Sequence, residues 1–393
     1  MRIFWAITCF IVALTLAISD VQAQTPAKTA PQFDKELVRV RILTNSKKVQ
    51  VAGQSLRFQI LSQPYRPVAI PQSGAAEVRV MRKNGKHVWA LRLNNRDNEH
   101  LFKEKYLMIQ GENLRVGGQS LPSRVMLAKG AGDQVDVVGV LPLDEYIAGV
   151  LASEMPISWP LETLKAQAVA ARSYALAVMA EREDKAYHLE SSVLDQVFRH
   201  IAGDDSDPKL KKALQAVHET AGIKLIDRSH KVLKAYYHAD CGGHTTHAKN
   251  VWSGGVNSGV AVDNSCPTNP KANWTVKFTR SEIADKLKLP SIQEITLDRM
   301  TGDTRIRGVQ VAVNETDSKY ISANEFRQAL GFTELRSTLF DLKKNQDEFV
   351  FTGRGFGHGV GLCQWGSRAL GLKGKNFNQI LKHYYPAAQI AQN

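Results

Sequence analysis

The stretch Val140-Leu-Pro-Leu-Asp-Glu-Tyr-Ile-Ala-Gly-Val-Leu-Ala-Ser-Glu-Met-Pro156 marks a change in the character of the chain. It reads as the exit of a strand followed by a short helix that ends at Pro156. Ser158 and Pro160 then signal a second helix, because serine suits a cap and proline suits a first turn. Along that helix Leu161, Leu164, Ala168, Ala171, Ala175 and Met179 fall at helical spacing, which predicts one buried face. Its alanines permit close packing. Lys165 and Arg172, seven positions apart, share a different face.

Upstream, from residue 36 to 139, the period is two. Val38, Val40 and Ile42 alternate with Arg39 and Arg41, and Val78 and Val80 flank Arg79. Trp89, Leu91 and Leu93 keep the rhythm, and Lys83-Asn84-Gly85-Lys86 is a hairpin signal. This segment predicts a β-rich unit without a catalytic constellation. Downstream, a helix is expected over Lys209–Thr220, with strands at Lys224–Ile226 and Val232–Tyr237. A strand-rich run follows from Ile295 to Val313, turning at Thr301-Gly302-Asp303. The predicted class is α+β: a β-rich N-terminal unit, then a mixed domain with a cleft over residues 140–387.

The N-terminus reads as an export signal. Arg2 precedes an apolar run from Phe4 to Ile18, and Val21-Gln22-Ala23 suits a cleavage site, so residues 1–23 are expected to be removed. A linker follows over 24–35. No later stretch is apolar enough to cross a membrane, so no anchor is expected after cleavage. The expected location is periplasmic or extracellular, at the cell wall. The formal net charge is +13. Export argues against nucleic acid as the partner and in favour of acidic surfaces such as wall polymers. Cys241, Cys266 and Cys363 remain after cleavage, and no Cys-x-x-Cys pair occurs.

Four segments together resemble the SpoIID/LytB family of cell-wall proteins. The first is the 141–156 run leading into Leu164-Lys-Ala-Gln-Ala-Val-Ala-Ala-Arg-Ser-Tyr174. The second is Gln196-Val-Phe198, and the third is Ala235-Tyr-Tyr-His-Ala-Asp-Cys-Gly-Gly-His-Thr245. The fourth is Gly353-Arg-Gly-Phe-Gly-His-Gly-Val-Gly-Leu-Cys-Gln-Trp-Gly366, followed by His383-Tyr-Tyr-Pro386. The resemblance implies either a lytic transglycosylase acting on peptidoglycan glycan strands, stripped of stem peptides, or a non-catalytic enhancer of a cell-wall amidase. It makes Glu154 the general acid and base.

The chemistry of the residues agrees. Breaking a glycosidic bond needs a carboxylic acid to protonate the leaving oxygen. One carboxylate suffices where the sugar's own primary hydroxyl attacks. Glu154 lies between Leu151 and Met155, a setting that raises a carboxyl pKa by desolvation. Lys165, Arg172 and Tyr174 are candidates for holding glycan; Arg172 alternatively braces the core through carbonyls. Glycines at 353, 355, 357, 359 and 361 would share one face of a strand, leaving His358 opposite. His358 and Gln364 are expected beside Glu154, lining the cleft, unless the glycines serve only a tight strand crossing. A dinucleotide-binding reading of these glycines fails for want of a following βαβ unit.

His238, Cys241, His244 and His247 cluster within ten residues, and a metal site there is the competing reading to a disulfide at Cys241. Some family members bind zinc through a His and two Cys near the Gln-Val-Tyr motif. Here that region, His188 to Gln196, has no cysteine, so no metal and no cofactor are expected. Cys241 and Cys266 are expected to form a disulfide, with Cys363 free, and His238 or His244 to contact substrate. Phe198 and Cys363 stand where the family has Tyr and Ser, which points to altered substrate contact. A Cys363 nucleophile with His358 as its base is the hydrolase alternative.

Overall fold

The computed structural model describes residues 37–392, apart from 61–65, 70–72, 94–98, 131, 202–207, 253–258 and 264–268. The expected signal segment, the linker and Cys266 lie outside the described residues. The period-two segment forms most of an 11-stranded sheet. Its order runs Leu189–Glu190, Leu37–Ser46, Val135–Pro142, Arg124–Lys129, Tyr106–Val116, Lys48–Ile60, Ser73–Lys83, Lys86–Leu93, Glu99–Phe102, with Arg66–Ala69 pairing Lys48–Ile60 and Gln119–Ser120 pairing Tyr106–Val116 off this path. Pairing is antiparallel except where Leu189–Glu190 adds parallel to Leu37–Ser46. Asn84 and Gly85 turn the predicted hairpin with φ of 52° and 73°, the left-handed pair that a two-residue turn requires. The inward alternate residues, among them Val49, Val51, Phe58, Trp89 and Ile109, make a core of their own.

The strand Val135–Pro142 runs straight into helix α1, Leu143–Glu154, and after a turn into α2, Leu161–Glu181. The structure corrects the expected cap: Pro160 occupies that position, and Ser158 makes no capping bond. It also corrects the one-faced reading of α2, which is buried on both sides. Leu164, Ala168, Ala171 and Val178 pack with α1, Val38, Val40 and helix α3, Pro208–His218. Ala166, Val169 and Ala170 pack against Leu225, Leu233, Cys241, Cys363 and Tyr384. Alanine therefore does more than allow close approach: it makes α2 thin enough to run between two cores.

Val232–Tyr237 is not the predicted strand. It is irregular chain ending in a two-residue strand, Tyr237–His238, that pairs parallel to Leu362–Cys363. Between these partners sits a module with a core of its own. It comprises strands Asn273–Thr279, Glu294–Arg299, Ile306–Ala312, Ser318–Ser322, Phe340–Asn345 and Glu348–Arg354 with helices α4, Arg280–Leu287, and α5, Ala323–Leu330. Both helices start with capping boxes, Thr279 with Glu282 and Ser322 with Glu325. The turn at 301–303 joins two of its strands as expected. Helices α6, Gln364–Leu372, and α7, Phe377–Tyr384, pack against α2, and the strand Gln389–Gln392 after them pairs antiparallel with Ile223–Ile226.

The alternating-glycine segment is not a strand. The strand stops at Arg354, and glycines 355, 357, 359 and 361 all have positive φ. The close approach that such glycines permit is nevertheless present: a Cβ on Gly361 would lie 2.0 Å from the Tyr236 carbonyl oxygen. This loop carries the chain past the 236–242 segment and delivers Gln364 to the head of α6.

Candidate functional site

Glu154 is the last residue of α1. Asp144 and Glu145 in the first turn favour the helix start, and Met155 ends it by turning extended, with φ of −147°. Gly149, one turn and a residue earlier, lets the helix approach Phe198; a Cβ there would stand 2.5 Å from that ring. The approach brings Val197 to the carboxylate. Its N–H donates to Glu154 Oε1 at 2.7 Å, and the Tyr237 hydroxyl donates to the same oxygen at 3.4 Å. Behind these contacts Tyr237 accepts from Gln196 Nε2 at 3.1 Å, and Gln196 Oε1 accepts from Tyr146 at 3.1 Å. Gln196 Nε2 also donates to the Ala171 carbonyl of α2 at 3.3 Å.

Glu154 keeps a partly exposed edge, yet the surrounding protein raises its pKa above the ordinary carboxylate value. Burial is the main cause; the Val197 amide, the Tyr237 hydroxyl and the neighbouring Gln364 amide act in the opposite sense by favouring the charged form. Its place at a helix C-terminus, where the carbonyl ends repel negative charge, works with burial. Burial also pushes the Tyr237 and Tyr146 hydroxyls well above their ordinary range, so both remain donors. The result is a carboxyl with a raised pKa, held by a backbone amide and by tyrosines whose own pKa values lie well above their ordinary range.

Tyr237 also lines an open cavity of about 330 Å³, together with Tyr174, Asp195, Tyr236, Trp252 and His358. Tyr236 stacks on Trp252 with centroids 4.4 Å apart, and His358 meets Trp252 edge-on at 4.9 Å. Burial and the nearby charges of His238, Arg327 and Arg305 hold the His358 pKa well below its usual value. Its Nδ1 accepts from the Val360 N–H at 3.0 Å, which leaves the proton on Nε2. Asp195 is committed: it pairs with Arg182 at 2.7 Å and accepts from the Tyr174 hydroxyl at 3.0 Å and the Glu190 N–H at 2.9 Å. Val193 and Leu194, 69% and 62% exposed, add apolar surface to the wall.

Of the residues picked from sequence, Gln364 comes to Glu154, while His358 and Tyr174 come to the adjoining cavity. Others are engaged elsewhere. Arg172 is buried and reaches the Thr220, Ile223 and Val217 carbonyls at 2.9, 3.3 and 3.3 Å, and Asp144 at 3.1 Å. Lys165 pairs with Glu162 and Glu219. His244 pairs with Asp303 at 2.9 Å, and His238 is buried with Nδ1 3.1 Å from the Val360 carbonyl oxygen. Phe198 is core, stacked on Tyr146 at 5.0 Å, rather than a substrate contact. Cys363 is also fully buried, which argues against a cysteine nucleophile; the histidine grouped with it is His238. Cys241, too, is buried, its sulfur 3.5 Å from Asp263; the expected partner Cys266 is outside the described residues.

Sequence reasoning passed over Tyr237, Gln196, Asp195, Tyr236 and Trp252. Tyr237 and Gln196 lie inside motifs already singled out, and a buried carboxyl's need for donors was the signal that points to them.

A family model described as Stage II sporulation protein matches residues 131–226, and a domain of unknown function matches 266–361, spanning the inserted module. Stage II sporulation protein D of Bacillus subtilis (strain 168) is 33% identical over 263 residues, covering 64% of this chain and 75% of that protein. The chain belongs to the SpoIID/LytB family. Members of this family are involved in cell-wall peptidoglycan processing and sporulation. An uncharacterised protein of Brachyspira hyodysenteriae is 31% identical over 260 residues, 66% of this chain and 69% of its own length. The amidase enhancer of Bacillus subtilis is 25% identical over 296 residues, 62% of this chain and 40% of the enhancer. Among the described residues no helix is long and apolar enough to cross a membrane.

Proposed function

We propose that this protein is an exported lytic transglycosylase of peptidoglycan glycan strands. The observation that carries the reading is Glu154, a carboxyl with a raised pKa fixed by a backbone amide and a tyrosine beside an aromatic cavity. Glu154 protonates the glycosidic oxygen as the bond to the muramic acid C1 breaks. It then takes the proton from the same sugar's primary hydroxyl as that oxygen attacks C1, closing an anhydro ring and restoring the acid. No water is activated, so no second carboxylate is needed. Asp195, the carboxylate in the cavity wall, is already neutralised by Arg182. The Tyr236–Trp252 stack offers apolar faces against which sugar rings pack.

Digestion of purified, peptide-free glycan strands with product mass analysis tests this. Wild type should give anhydro-muramic ends, and Glu154→Gln should lower the rate by at least ~10²-fold, the usual worth of positioned acid–base catalysis. Products with reducing ends would overturn the mechanism. The likeness to an amidase enhancer favours a second reading, in which the chain binds the wall and stimulates an amidase. No cleavage by wild type, with stimulation of an added amidase that Glu154→Gln leaves intact, would establish that reading instead.

A further inference from the structure

The structure points to a second site that the glycan reaction does not use. We propose that His238, Cys241 and Cys363 bind a zinc ion that clamps the two halves of the Glu154 pocket together. One potential ligand atom from each of the three lies within 4.8 Å of the other two, and all three residues are buried. Zinc–sulfur bonds of about 2.3 Å and zinc–nitrogen bonds of about 2.0 Å in a tetrahedron place donors roughly 3.5–3.8 Å apart, so the cluster needs to contract by only about an ångström. The backbone holds it in register. His238 pairs with Cys363 across the short parallel ladder, and the Cys241 N–H donates to Cys363 Sγ at 3.3 Å.

Three neighbours fit a metal. His238 Nδ1 lies 3.1 Å from the Val360 carbonyl oxygen; as donor in that bond it directs the lone pair to Nε2, the arrangement a zinc-bound histidine adopts. Asp263 is buried, with Oδ2 3.5 Å from Cys241 Sγ and 2.6 Å from the Tyr384 hydroxyl, and is the nearest further oxygen donor. Arg305 is wholly buried and donates to the Cys241 and His244 carbonyls at 2.6 and 3.0 Å. Its guanidinium already has the Asp303 carboxylate nearby, and two thiolates cancel the charge of the zinc ion, so loading the site adds no net positive charge beside it. Binding displaces the two thiol protons.

This is not a zinc position of the 188–196 region. There His188 faces the sheet, its Nδ1 accepting the Arg39 N–H at 3.2 Å, and no cysteine is available. The new cluster joins segments 122 residues apart. Its ligands are chain neighbours of the two side chains beside Glu154: Tyr237 precedes His238, and Gln364 follows Cys363. Zinc would therefore position the groups that hold Glu154. That consequence rests on the proposed catalytic reading, whereas the binding itself does not.

The test is elemental analysis of the full exported chain, as purified and after chelation followed by titration with Zn²⁺ alone under reducing conditions. One zinc per chain is expected, with release of thiol protons. Cobalt reconstitution should give thiolate-to-metal charge-transfer absorption. Cys363→Ser is the informative variant, because serine can keep the bond from the Gly366 N–H that Cys363 now accepts at the head of α6. It should fold as wild type by circular dichroism and lose zinc by at least tenfold in affinity. Zero zinc in the reduced wild type would overturn the proposal. So would peptide mapping of the chain as purified that finds Cys241 in a disulfide with Cys266 or Cys363. Zinc bound by a wild type that cleaves no glycan would leave the metal site standing and remove only its catalytic consequence.

Discussion

Replacing Arg172 by Met separates bracing from binding. Met retains most of the buried stem and deletes the guanidinium. That group donates to the Val217, Thr220 and Ile223 carbonyls, at the C-terminus of α3 and the start of the strand Ile223–Ile226, and to Asp144. Hydrogen bonds to a charged donor contribute about 1.5–3 kcal/mol each, but these three carbonyls share one donor group and do not add in full. The Asp144 pair is the minor part: its carboxylate is 55% exposed, and exposed pairs contribute about 0–1 kcal/mol. A loss of at least about 3 kcal/mol follows, nearly all of it from the carbonyls. Urea denaturation of wild type, Arg172→Met and Asp144→Asn measures it. The Asp144 variant should lose less than about 1 kcal/mol. An Arg172→Met protein with an unchanged midpoint and weakened glycan binding would refute the bracing role and restore Arg172 to the substrate.

Three further outcomes are expected. Glu154→Gln should raise the unfolding midpoint at pH 7–8, because the native carboxyl has a raised pKa and its ionisation there opposes folding; the gain should vanish below the unfolded pKa of about 4.3, where both states are protonated. His188, driven down to about 4 mainly by burial, contributes stability that is complete above about pH 6.5 and lost as pH falls toward 4, by up to ~3 kcal/mol. Denaturation at pH 7.5 and 4.5 should therefore show a smaller acid loss in His188→Gln, and parallel losses would count against it. Gly361→Ala should prevent normal folding, since its φ is 71° and the added Cβ meets the Tyr236 carbonyl at 2.0 Å; Gly374→Ala, with φ of 77° and nothing within 4 Å, should lose only about 1–2 kcal/mol by the same denaturation assay.

The α+β class, the hairpin at Asn84-Gly85 and the α1–α2 sequence were legible because each is a local pattern with one physical solution. The two-sided burial of α2 was not, because alanine scores weakly in any periodicity and only tertiary context shows that both its faces are covered. The glycine run failed as a strand for a related reason. Alternation suggests a pleat, but glycine equally permits the left-handed backbone found at residues 355–361. At the candidate site, Glu154 was singled out from its motif. Its donors were not, since Val197 acts through its backbone and Tyr237 arrives from a segment 83 residues away in sequence.

The inserted module enters and leaves through one doorway. The Gly355 N–H donates to the Ala272 carbonyl at 2.7 Å, and the Trp274 indole donates to the Gly355 carbonyl at 3.0 Å, so its two ends are tied together. Once it has folded on its own core, the chain between Cys241 and Cys363 behaves as a much shorter tether, and the entropy of joining them falls with the logarithm of that length. Closing the ladder of Tyr237–His238 on Leu362–Cys363 costs least entropy when the cassette is already folded, and the ladder holds the chain neighbours that meet Glu154, Tyr237 and Gln364. Until that ladder forms, α1 carries Glu154 without the Tyr237 and Gln364 contacts it has in the folded chain.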